Sequence, residues 1–187
     1  GIEPTDSTAK VAESRGINTI REFFCESLGK ELASKGNQAS LIVANNVFAH
    51  VPDVNDFTLG LKAALRPKGT IVLEFPHLLR LIDQIQFDTI YHEHYSYLSL
   101  ETVISILSKA GLKVVDVEEL STHGGSLRVF GCHSDDSRNS SPAVFEILKT
   151  EASMGLKKLA TYRAFQKQAE QIRNDFLEFL LEKKKVG

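Results

Sequence analysis

The sequence contains two short apolar runs, Ser40-Leu41-Ile42-Val43-Ala44 and Thr70-Ile71-Val72-Leu73-Glu74-Phe75, each of the length of a buried strand. Residues 53–65 lie between them and favour a helix, which Pro67 and Gly69 would end. Further segments of the same two kinds precede them, helical at 6–15 and 22–34 and extended at 17–20. Strands that alternate with helices are typical of a parallel sheet covered by helices, so the sequence predicts an α/β fold.

The second part of the predicted sheet is built differently. Residues 112–120 and 126–133 are two β-rich runs, and only the loop 121–125 separates them. Strands joined by so short a loop have to be antiparallel neighbours. A helix precedes them, with Ser99 as its N-cap and Gly111 as its stop. The sequence therefore predicts a mostly parallel sheet that ends in an antiparallel hairpin.

The chain divides into a sheet domain (residues 1–133), a linker (134–142) and a helical extension (143–187). The linker is predicted from its acidic, serine-rich composition. In the extension, apolar side chains recur at spacings of three or four and form one stripe, made of Tyr162, Phe165, Ala169, Ile172, Phe176 and Leu180. Such a stripe packs against the sheet domain, against a partner subunit in a homodimer, or against a domain outside the chain.

Composition excludes several classes of protein. The 187 residues are 42% hydrophobic and 25% charged, as in ordinary globular domains. The net charge of −2 speaks against nucleic acid or a membrane surface as a partner. The two cysteines, Cys25 and Cys132, cannot form a disulfide framework or a four-thiolate zinc site. Because we find no signal peptide and no apolar run of about 20 residues, we expect a soluble, cytoplasmic protein.

Polar residues follow three of the predicted strands at their carboxyl ends, where open parallel sheets bind ligands. Gly1-Ile2-Glu3-Pro4 is typical of a strand end that enters a helix, so Glu3 follows a strand. The run from Asn45 to Asp53 follows the strand at 40–44, and His77 follows the strand at 70–75. An acid in the position of Glu3 can accept hydrogen bonds from two ribose hydroxyls. Taken alone, however, an acid at a strand end is commonly only solvated.

Residues 87–97 concentrate two histidines, two carboxylates and three tyrosines, which indicates a packed segment rather than a disordered loop. Three interpretations stay open. His92 and His94 could contribute to a metal site, although no second ligand pair occurs at a matching spacing. The segment could instead be a buried polar network. The interpretation that we favour is acid–base chemistry, with a histidine tuned by a glutamate and a tyrosine.

A second candidate is the run His123-Gly124-Gly125-Ser126-Leu127-Arg128. Its glycines allow a tight hairpin turn or the approach of a ligand to the backbone, and the turn alone explains them. Arg128 lies on a predicted strand, where it can bind a phosphate or a carboxylate, or pair with an acid of the protein.

Four segments in this order resemble a known enzyme family: Gly1-Ile2-Glu3-Pro4, then residues 45–53, 87–97 and 123–128. They resemble the S-adenosylmethionine-dependent C-methyltransferases that act on nucleotide-linked deoxy-keto-sugars. The likeness covers nearly the whole chain, and Tyr91-His92-Glu93-His94 is its most diagnostic part. It implies a Rossmann-like methyltransferase sheet and a C-terminal helix that leads to a further domain.

For function, the resemblance implies transfer of a methyl group from S-adenosylmethionine to carbon 3 of a TDP-4-keto-deoxyhexose. His94 would be the general base that removes a proton from the carbon beside the ketone, and Glu93 and Tyr91 would place or polarise it. His50 would stabilise the enolate oxygen. General physical chemistry agrees with these roles, because neutral imidazole is a competent base and a developing oxyanion requires a donor.

The resemblance also implies binding residues. Those for the cofactor, with Glu3 on the ribose of the methyl donor, are Glu3, Asn45, Asn46 and Val47. Those for the nucleotide-linked sugar are His123, Gly125 and Arg128. No metal site is expected in this chain, because the zinc of the family belongs to a separate amino-terminal domain.

Three parts of the family pattern are not found in the chain: the glycine-rich loop that cradles the cofactor, the amino-terminal zinc domain and the carboxy-terminal domain. We therefore expect an internal fragment that lacks the N-terminal part of the fold. Two other functions stay open. One is an O- or N-methyltransferase that acts on another small molecule, and the other is a non-catalytic binding or dimerisation module.

Overall fold

The computed structural model describes residues 1–186 and has a four-stranded sheet at its centre. The strands are β1 (Ala39–Asn45), β2 (Leu65–Pro76), β3 (Leu112–Leu120) and β4 (Ser126–His133), in the order β1-β2-β4-β3. β1 and β2 are parallel, whereas β4 runs antiparallel to both of its neighbours. The predicted hairpin of β3 and β4 is confirmed, and it completes the sheet beside β2.

Helices connect these strands, and two of them begin at capping side chains that the sequence reveals. The helices are α1 (Asp6–Ser14), α2 (Glu26–Ser34), α3 (Val54–Ala64), α4 (Leu78–Asp83), α5 (Leu100–Lys109), α6 (Pro142–Ser153) and α7 (Leu159–Val186). The Asp53 carboxylate accepts hydrogen bonds from the N–H groups of Asn55 and Asp56, both at 3.0 Å. Ser99 Oγ accepts one from the N–H of Thr102 at 3.2 Å. Because these bonds satisfy donors that the first helical turn leaves unpaired, α3 and α5 begin where the sequence predicts.

Three segments differ from the expectation. Residues 17–20 form no strand, only a single parallel bridge between Ile20 and Ile2. α2 begins at Glu26 rather than at residue 22, and the helix α4 is not predicted from the sequence. A helix as short as α4 spans less than two turns, so its apolar spacing gives no periodic signal, and tertiary packing decides its conformation.

β2 begins at Leu65, earlier than predicted, and α3 ends at Ala64, so Pro67 and Gly69, which were predicted to end the helix, lie within the strand. Ala39 of β1 pairs with Leu65, but Leu41 pairs with Thr70, so residues 66–69 bulge out of the ladder. Within the bulge, Lys68 has a φ of 62°. The bulge accommodates Pro67, which has no N–H to give to a ladder.

The hydrophobic core lies on one face of the sheet. Alternate residues of β2 are fully buried and form one cluster with side chains of α3 and α5, among them Ile71, Leu73, Phe75, Phe57, Leu61, Val103 and Leu107. Burying one such side chain contributes about 1.5–3 kcal/mol. The cluster therefore holds the strand ends, and the loops that follow them, in fixed relative positions.

The predicted linker, residues 134–142, is held against the sheet by hydrogen bonds. Arg138 donates to Gly69 O at 2.7 Å and to Thr70 Oγ1 at 2.8 Å. The N–H of Ser141 donates to Val115 O at 2.8 Å, immediately before α6 begins. The division into a sheet domain (1–133), linker (134–142) and helical extension (143–187) stays a prediction.

α7 carries the apolar stripe predicted for the extension, and only its first part is packed. Tyr162 Oη donates a hydrogen bond to Leu156 O at 2.6 Å, and Phe165 packs against a buried cluster that includes Leu156. Further along the helix, Ile172 and Phe176 are exposed. None of the helices within residues 1–186 is both long and apolar enough to cross a membrane.

Candidate active site

Residues 87–97, the densest polar and aromatic cluster of the sequence, lie at the carboxyl end of β1. A short 3-10 turn, Phe48–His50, follows that strand. Ala49 O in this turn accepts hydrogen bonds from the N–H groups of Tyr95 at 2.9 Å and Ser96 at 3.2 Å. The segment is thereby joined to the end of the sheet at which open α/β folds bind ligands. The structure thus brings together two regions that the sequence indicates separately.

Aromatic rings surround His94 on several sides. The centroid of its ring lies 4.5 Å from that of Tyr91, 4.8 Å from that of His50 and 5.8 Å from that of Tyr97. His94 is half-buried, whereas Tyr91 is exposed. His94 is therefore fixed by packing and still lies near the surface, as a group that reacts with a bound ligand must.

The backbone decides which nitrogen of each imidazole carries a proton. His94 Nδ1 lies 2.9 Å from Thr89 O, and His50 Nδ1 lies 2.9 Å from Glu93 O. A carbonyl oxygen only accepts hydrogen bonds, so both Nδ1 atoms must be the donors. In the neutral form of either ring, Nε2 is then unprotonated. His94 consequently presents a basic nitrogen, directed by a bond on the opposite side of the ring.

Glu93 and Tyr91 contact the two histidines in different ways. Glu93 orients His50 through its backbone carbonyl, and its exposed carboxylate makes no hydrogen bond to His94 in the described chain. Tyr91 places its ring over that of His94 at an interplanar angle of 33°, and its carbonyl accepts from the His94 N–H at 3.1 Å. That the Glu93 side chain tunes His94 stays a prediction.

The predicted cofactor residues Asn45, Asn46 and Val47 lie where β1 ends. The N–H of Asn46 donates to Glu74 O at 2.8 Å. Asn46 has a φ of 53°, the left-handed region that asparagine tolerates better than most residues. Asn45 and Val47 are exposed, so this strand end is open to a ligand.

The remaining predicted cofactor residue, Glu3, lies beside the bridge of residues 2 and 20. Its N–H donates to Ile20 O at 2.9 Å, and its Oε1 accepts from the N–H of Thr5 at 2.8 Å. Its Oε2 makes no hydrogen bond within residues 1–186. The carboxylate is therefore held in place by one oxygen while the other stays available.

The loop between β3 and β4 carries the predicted substrate residues His123 and Gly125. His123 is exposed and has a φ of 53°. Gly125 has a φ of 117°, and a Cβ built on it would lie 2.7 Å from Arg80 Cγ. Gly125 O also accepts from the N–H of His77 at 3.0 Å. Glycine is thus required here by both conformation and packing, which accounts for this residue without a ligand.

Arg128, the third predicted substrate residue, pairs with two acids of the protein. Its Nη2 and Nε donate to Glu74 Oε2 at 2.9 Å and 3.2 Å, and its Nη1 donates to Glu118 Oε2 at 2.8 Å. The hydrogen bond to Glu74 raises the pKa of Arg128 above its ordinary value. The guanidinium is therefore already engaged, as in one of the two interpretations of the sequence. Its contact with a substrate stays a prediction.

Gln86 joins the two candidate segments. It directly precedes residues 87–97, and its Nε2 donates to Gly124 O at 2.6 Å. The preceding residue, Ile85, has a φ of 52°, which a β-branched residue rarely adopts. The start of the histidine segment is thus anchored to the loop of the hairpin.

Sequence reasoning does not single out two buried polar residues beside the site, Glu74 and Glu151, and it places His77 at a strand end without finding its partner. The one signal for Glu74 is its position within an apolar run. His77 Nε2 lies 2.7 Å from Glu151 Oε1, although 74 positions separate the two residues in the chain. No local pattern relates residues so far apart.

Outside the histidine segment, the described chain offers a weaker alternative site. No group of three or more His, Cys, Asp and Glu side chains suited to a metal occurs within residues 1–186. A cleft of about 370 Å³ lies near the start of β1, away from His94, and includes Lys30 and His133 in its lining. Lys30 pairs with Glu26 at 2.8 Å, and His133 Nε2 lies 3.0 Å from Leu65 O. These polar groups are occupied within the protein, so the histidine segment is the stronger candidate.

Comparisons with known proteins give the family. Residues 3–117 match a methyltransferase domain family, and residues 121–187 match the family described as the C-methyltransferase C-terminal domain. C-methyltransferase NovU of Streptomyces niveus is 38% identical over 180 residues, which make up 96% of this chain and 43% of that protein. The chain thus spans less than half the length of this relative.

Solved structures share the fold at low sequence identity. A methyltransferase from Anabaena variabilis described as SAM-dependent has a TM-score of 0.54 at 11% identity, over 71% of this chain and 67% of that one. An S-adenosylmethionine-dependent methyltransferase from Mesorhizobium loti has a TM-score of 0.52 at 13% identity, over 70% and 78%. These similarities confirm the predicted fold class. The match over residues 3–117, more than half of the chain, shows that the chain belongs to the methyltransferase domain family, and residues 121–187 resemble the C-methyltransferase C-terminal domain.

Proposed function

We propose that the protein containing this chain transfers a methyl group from S-adenosylmethionine to a carbon beside a ketone in a nucleotide-linked deoxysugar. Carbon 3 of a TDP-4-keto-deoxyhexose is the acceptor that the sequence motifs favour. The match of residues 121–187 to the C-methyltransferase C-terminal domain and the similarity to NovU support transfer to carbon. The sugar is supported by the motif around His94.

One observation carries the mechanism: the bond between His94 Nδ1 and Thr89 O leaves Nε2 as the basic nitrogen of a neutral ring. His94 Nε2 takes the proton as the C3–H bond breaks, and the electron pair is delocalised onto the ketone oxygen. A carbon acid beside a ketone requires such a base, whereas an oxygen or nitrogen acceptor does not need a base strong enough for C–H removal.

In this proposal, His50 stabilises the enolate oxygen. Because His50 Nδ1 is committed to Glu93 O, only its Nε2 can reach a ligand, and it donates only when the ring is protonated. A protonated ring beside a developing oxyanion supplies both a donor and a positive charge. Tyr91, whose ring lies over that of His94, would help to position the base.

The residues at the strand ends suit the methyl donor. S-adenosylmethionine supplies an electrophilic methyl group on a sulfonium sulfur. Glu3 would hold its ribose through the carboxylate oxygen that the protein leaves free, and Asn45, Asn46 and Val47 would line it at the exposed end of β1. His123 and Arg128 would face the nucleotide-linked sugar, the latter while still paired with its acids.

The experiment that tests this proposal measures proton exchange at the acceptor carbon. The full-length protein is incubated with a TDP-4-keto-deoxyhexose and S-adenosylhomocysteine in deuterated water, and loss of the C3–H signal is followed by NMR. His94→Gln should slow the exchange by about 10²–10⁴-fold, the usual contribution of a general base.

A matched control is available in the same segment. His92 is exposed and makes no ring contact with His94, so His92→Gln should leave the exchange rate unchanged. Exchange at the parent rate in His94→Gln would show that His94 is not the base. If the protein methylates its substrate in a second reaction with S-adenosylmethionine but shows no C–H exchange in the first, the alternative of an O- or N-methyltransferase is favoured.

A non-catalytic module is the alternative of another class, and the exposed part of α7 is the feature that favours it. Dimerisation through this surface predicts a concentration-dependent mass in light scattering. A tight dimer that binds no S-adenosylhomocysteine in calorimetry would support the module, whereas a monomer would remove the argument for a homodimer.

A further inference from the structure

The buried carboxylate of Glu151 binds three donors from outside its own helix. It lies on α6 and is 3% exposed. Its Oε1 accepts from the N–H of Leu100 at 2.6 Å and lies 2.7 Å from His77 Nε2, and its Oε2 accepts from the N–H of Glu101 at 3.2 Å. Because Leu100 and Glu101 begin α5, the carboxylate caps that helix from a distant part of the chain.

His77 is a buried histidine with one ring nitrogen that is unpaired within the described chain. It is 1% exposed, and its Nδ1 has no hydrogen-bond partner within residues 1–186. An unpaired buried acceptor is unfavourable, whereas an apolar side chain of similar size would avoid it. The bond that His77 Nε2 donates to Glu151 therefore offsets the cost of burying the unpaired Nδ1.

The backbone of His77 borders the histidine segment. The next residue, Leu78, donates through its N–H to Leu98 O at 3.0 Å, and His77 forms a parallel bridge with Leu98. Leu98 directly follows residues 87–97. The two neighbours of His77 in the chain, Pro76 and Leu78, line the same small pocket as His94.

The carboxyl-terminal end of the segment is thus held from both directions. Leu98 is paired with the backbone around His77, and α5 begins two residues later under the carboxylate of Glu151. Between Leu98 and His94 lies Tyr97, whose ring contacts His94 edge-on at 5.8 Å. Any shift of His77 or of the start of α5 moves the residues that support the His94 ring.

We infer that the buried pair His77–Glu151 is a positioning pair that holds His94 in its reactive orientation. Neither residue touches the reacting atoms, and both act through Tyr97, Leu98 and the start of α5. The inference rests on the proposed function only in the role of His94 as base. It adds that α6, in the part of the chain that matches the C-methyltransferase C-terminal domain, contributes to the geometry of the site.

The test uses Glu151→Gln and His77→Leu in the full-length protein. Glu151→Gln preserves the shape of the side chain, but it replaces one acceptor oxygen by an NH2 group that opposes the donors of α5. Glu146→Gln is the matched control, since Glu146 lies on the same helix and is exposed.

Two readouts are measured for each variant. The rate of C3–H exchange should fall by about 10–100-fold at saturating sugar, the effect of a misplaced catalytic group, while affinity for S-adenosylhomocysteine is unchanged. In long-range ¹H–¹⁵N spectra, the His94 signals should report a smaller fraction of the Nδ1–H form than in the parent. Glu146→Gln should change neither readout.

A merely structural pair would lower the melting temperature and leave the exchange rate and the His94 tautomer at parent values, which would overturn the inference. If Glu151→Gln does not fold, His77→Leu decides, because it removes the donor to Glu151 and leaves the N–H groups of α5 that the carboxylate caps. If the parent itself shows no exchange, the proposed function fails, and the His94 tautomer in the variants still decides on the positioning pair.

Discussion

The pair of Arg128 and Glu74 provides a direct test of how the sheet accommodates charge. Glu74 lies near the carboxyl end of the apolar strand β2, and the residue is 6% exposed. Arg128 faces it across the β2–β4 ladder and donates two hydrogen bonds to its carboxylate. Replacing Arg128 by alanine leaves that carboxylate buried with one long bond, from Thr122 Oγ1 at 3.4 Å.

The magnitude follows from the burial of the two partners. Removing one member of a buried ion pair costs about 3–5 kcal/mol, because the other charge stays without compensation. The Arg128 side chain is 32% exposed, so water reaches the vacated position and offsets part of that cost. We therefore expect Arg128→Ala to lower the free energy of unfolding by about 2–3 kcal/mol.

The assay is urea unfolding of the 187-residue chain, followed by circular dichroism at neutral pH. Glu118→Gln is the matched control, because Glu118 pairs with the same guanidinium but its side chain is 52% exposed. That variant should lose less than about 1 kcal/mol, as exposed pairs do. An Arg128→Ala variant that unfolds at the same urea concentration as the parent would refute the structural role. It would leave substrate binding as the explanation of Arg128.

Three further predictions concern single residues. Gly125→Ala should lower the free energy of unfolding by about 1–3 kcal/mol in the same assay, because the backbone conformation disfavours a Cβ there and the Cβ would also clash. Gly36→Ala is the control and should cost less, because its Cβ would meet no neighbour within 4 Å. Hydrogen bonds from Arg138 lower the pKa of Asp136 from 3.8 to about 2. Since the folded-state pKa lies below the unfolded one, this stabilisation is complete above the unfolded value and is lost as the pH falls towards 2. In Asp136→Asn, the free energy of unfolding should therefore depend less steeply on pH in that range. An unchanged pH dependence would contradict the assignment. Glu3→Ala should weaken S-adenosylhomocysteine binding by about 1–3 kcal/mol in calorimetry, and equal affinity would exclude its ribose contact.

Local signals explain which elements could be predicted. α3 and α5 each begin at a residue whose side chain caps the helix, Asp53 and Ser99, and both signals are complete within a few positions. The hairpin follows from a loop too short for any other connection. Two short features could not be predicted from local signals: the bridge between Ile2 and Ile20, and the helix α4. Neither is long enough to show a hydrophobic period, and both depend on contacts with distant parts of the chain.

In the candidate site, too, the sequence identified residues, whereas their contacts became known only from the structure. Residues 87–97 were recognised from their density of titratable and aromatic side chains, and His50 from its position after a strand. That Glu93 contacts His50 through its carbonyl, and that both histidines donate from Nδ1, depends on the path of the backbone. Residue types along a chain do not specify such bonds.

The alternation of short apolar runs with helical segments predicted the α/β class, and the short loop 121–125 predicted the hairpin, because both signals lie within a few residues. Four motifs in order gave a resemblance to a methyltransferase family, and the match over residues 3–117 confirmed the methyltransferase domain. The tertiary structure decided the state of the charged and titratable groups. In the folded chain, Arg128 pairs with Glu74, and Glu151 is buried against His77. The hydrogen bond of His94 Nδ1 to Thr89 O leaves Nε2 as the unprotonated nitrogen of the neutral ring. Burial and hydrogen-bond partners control what an ionisable side chain can do, and both arise only when distant segments pack together.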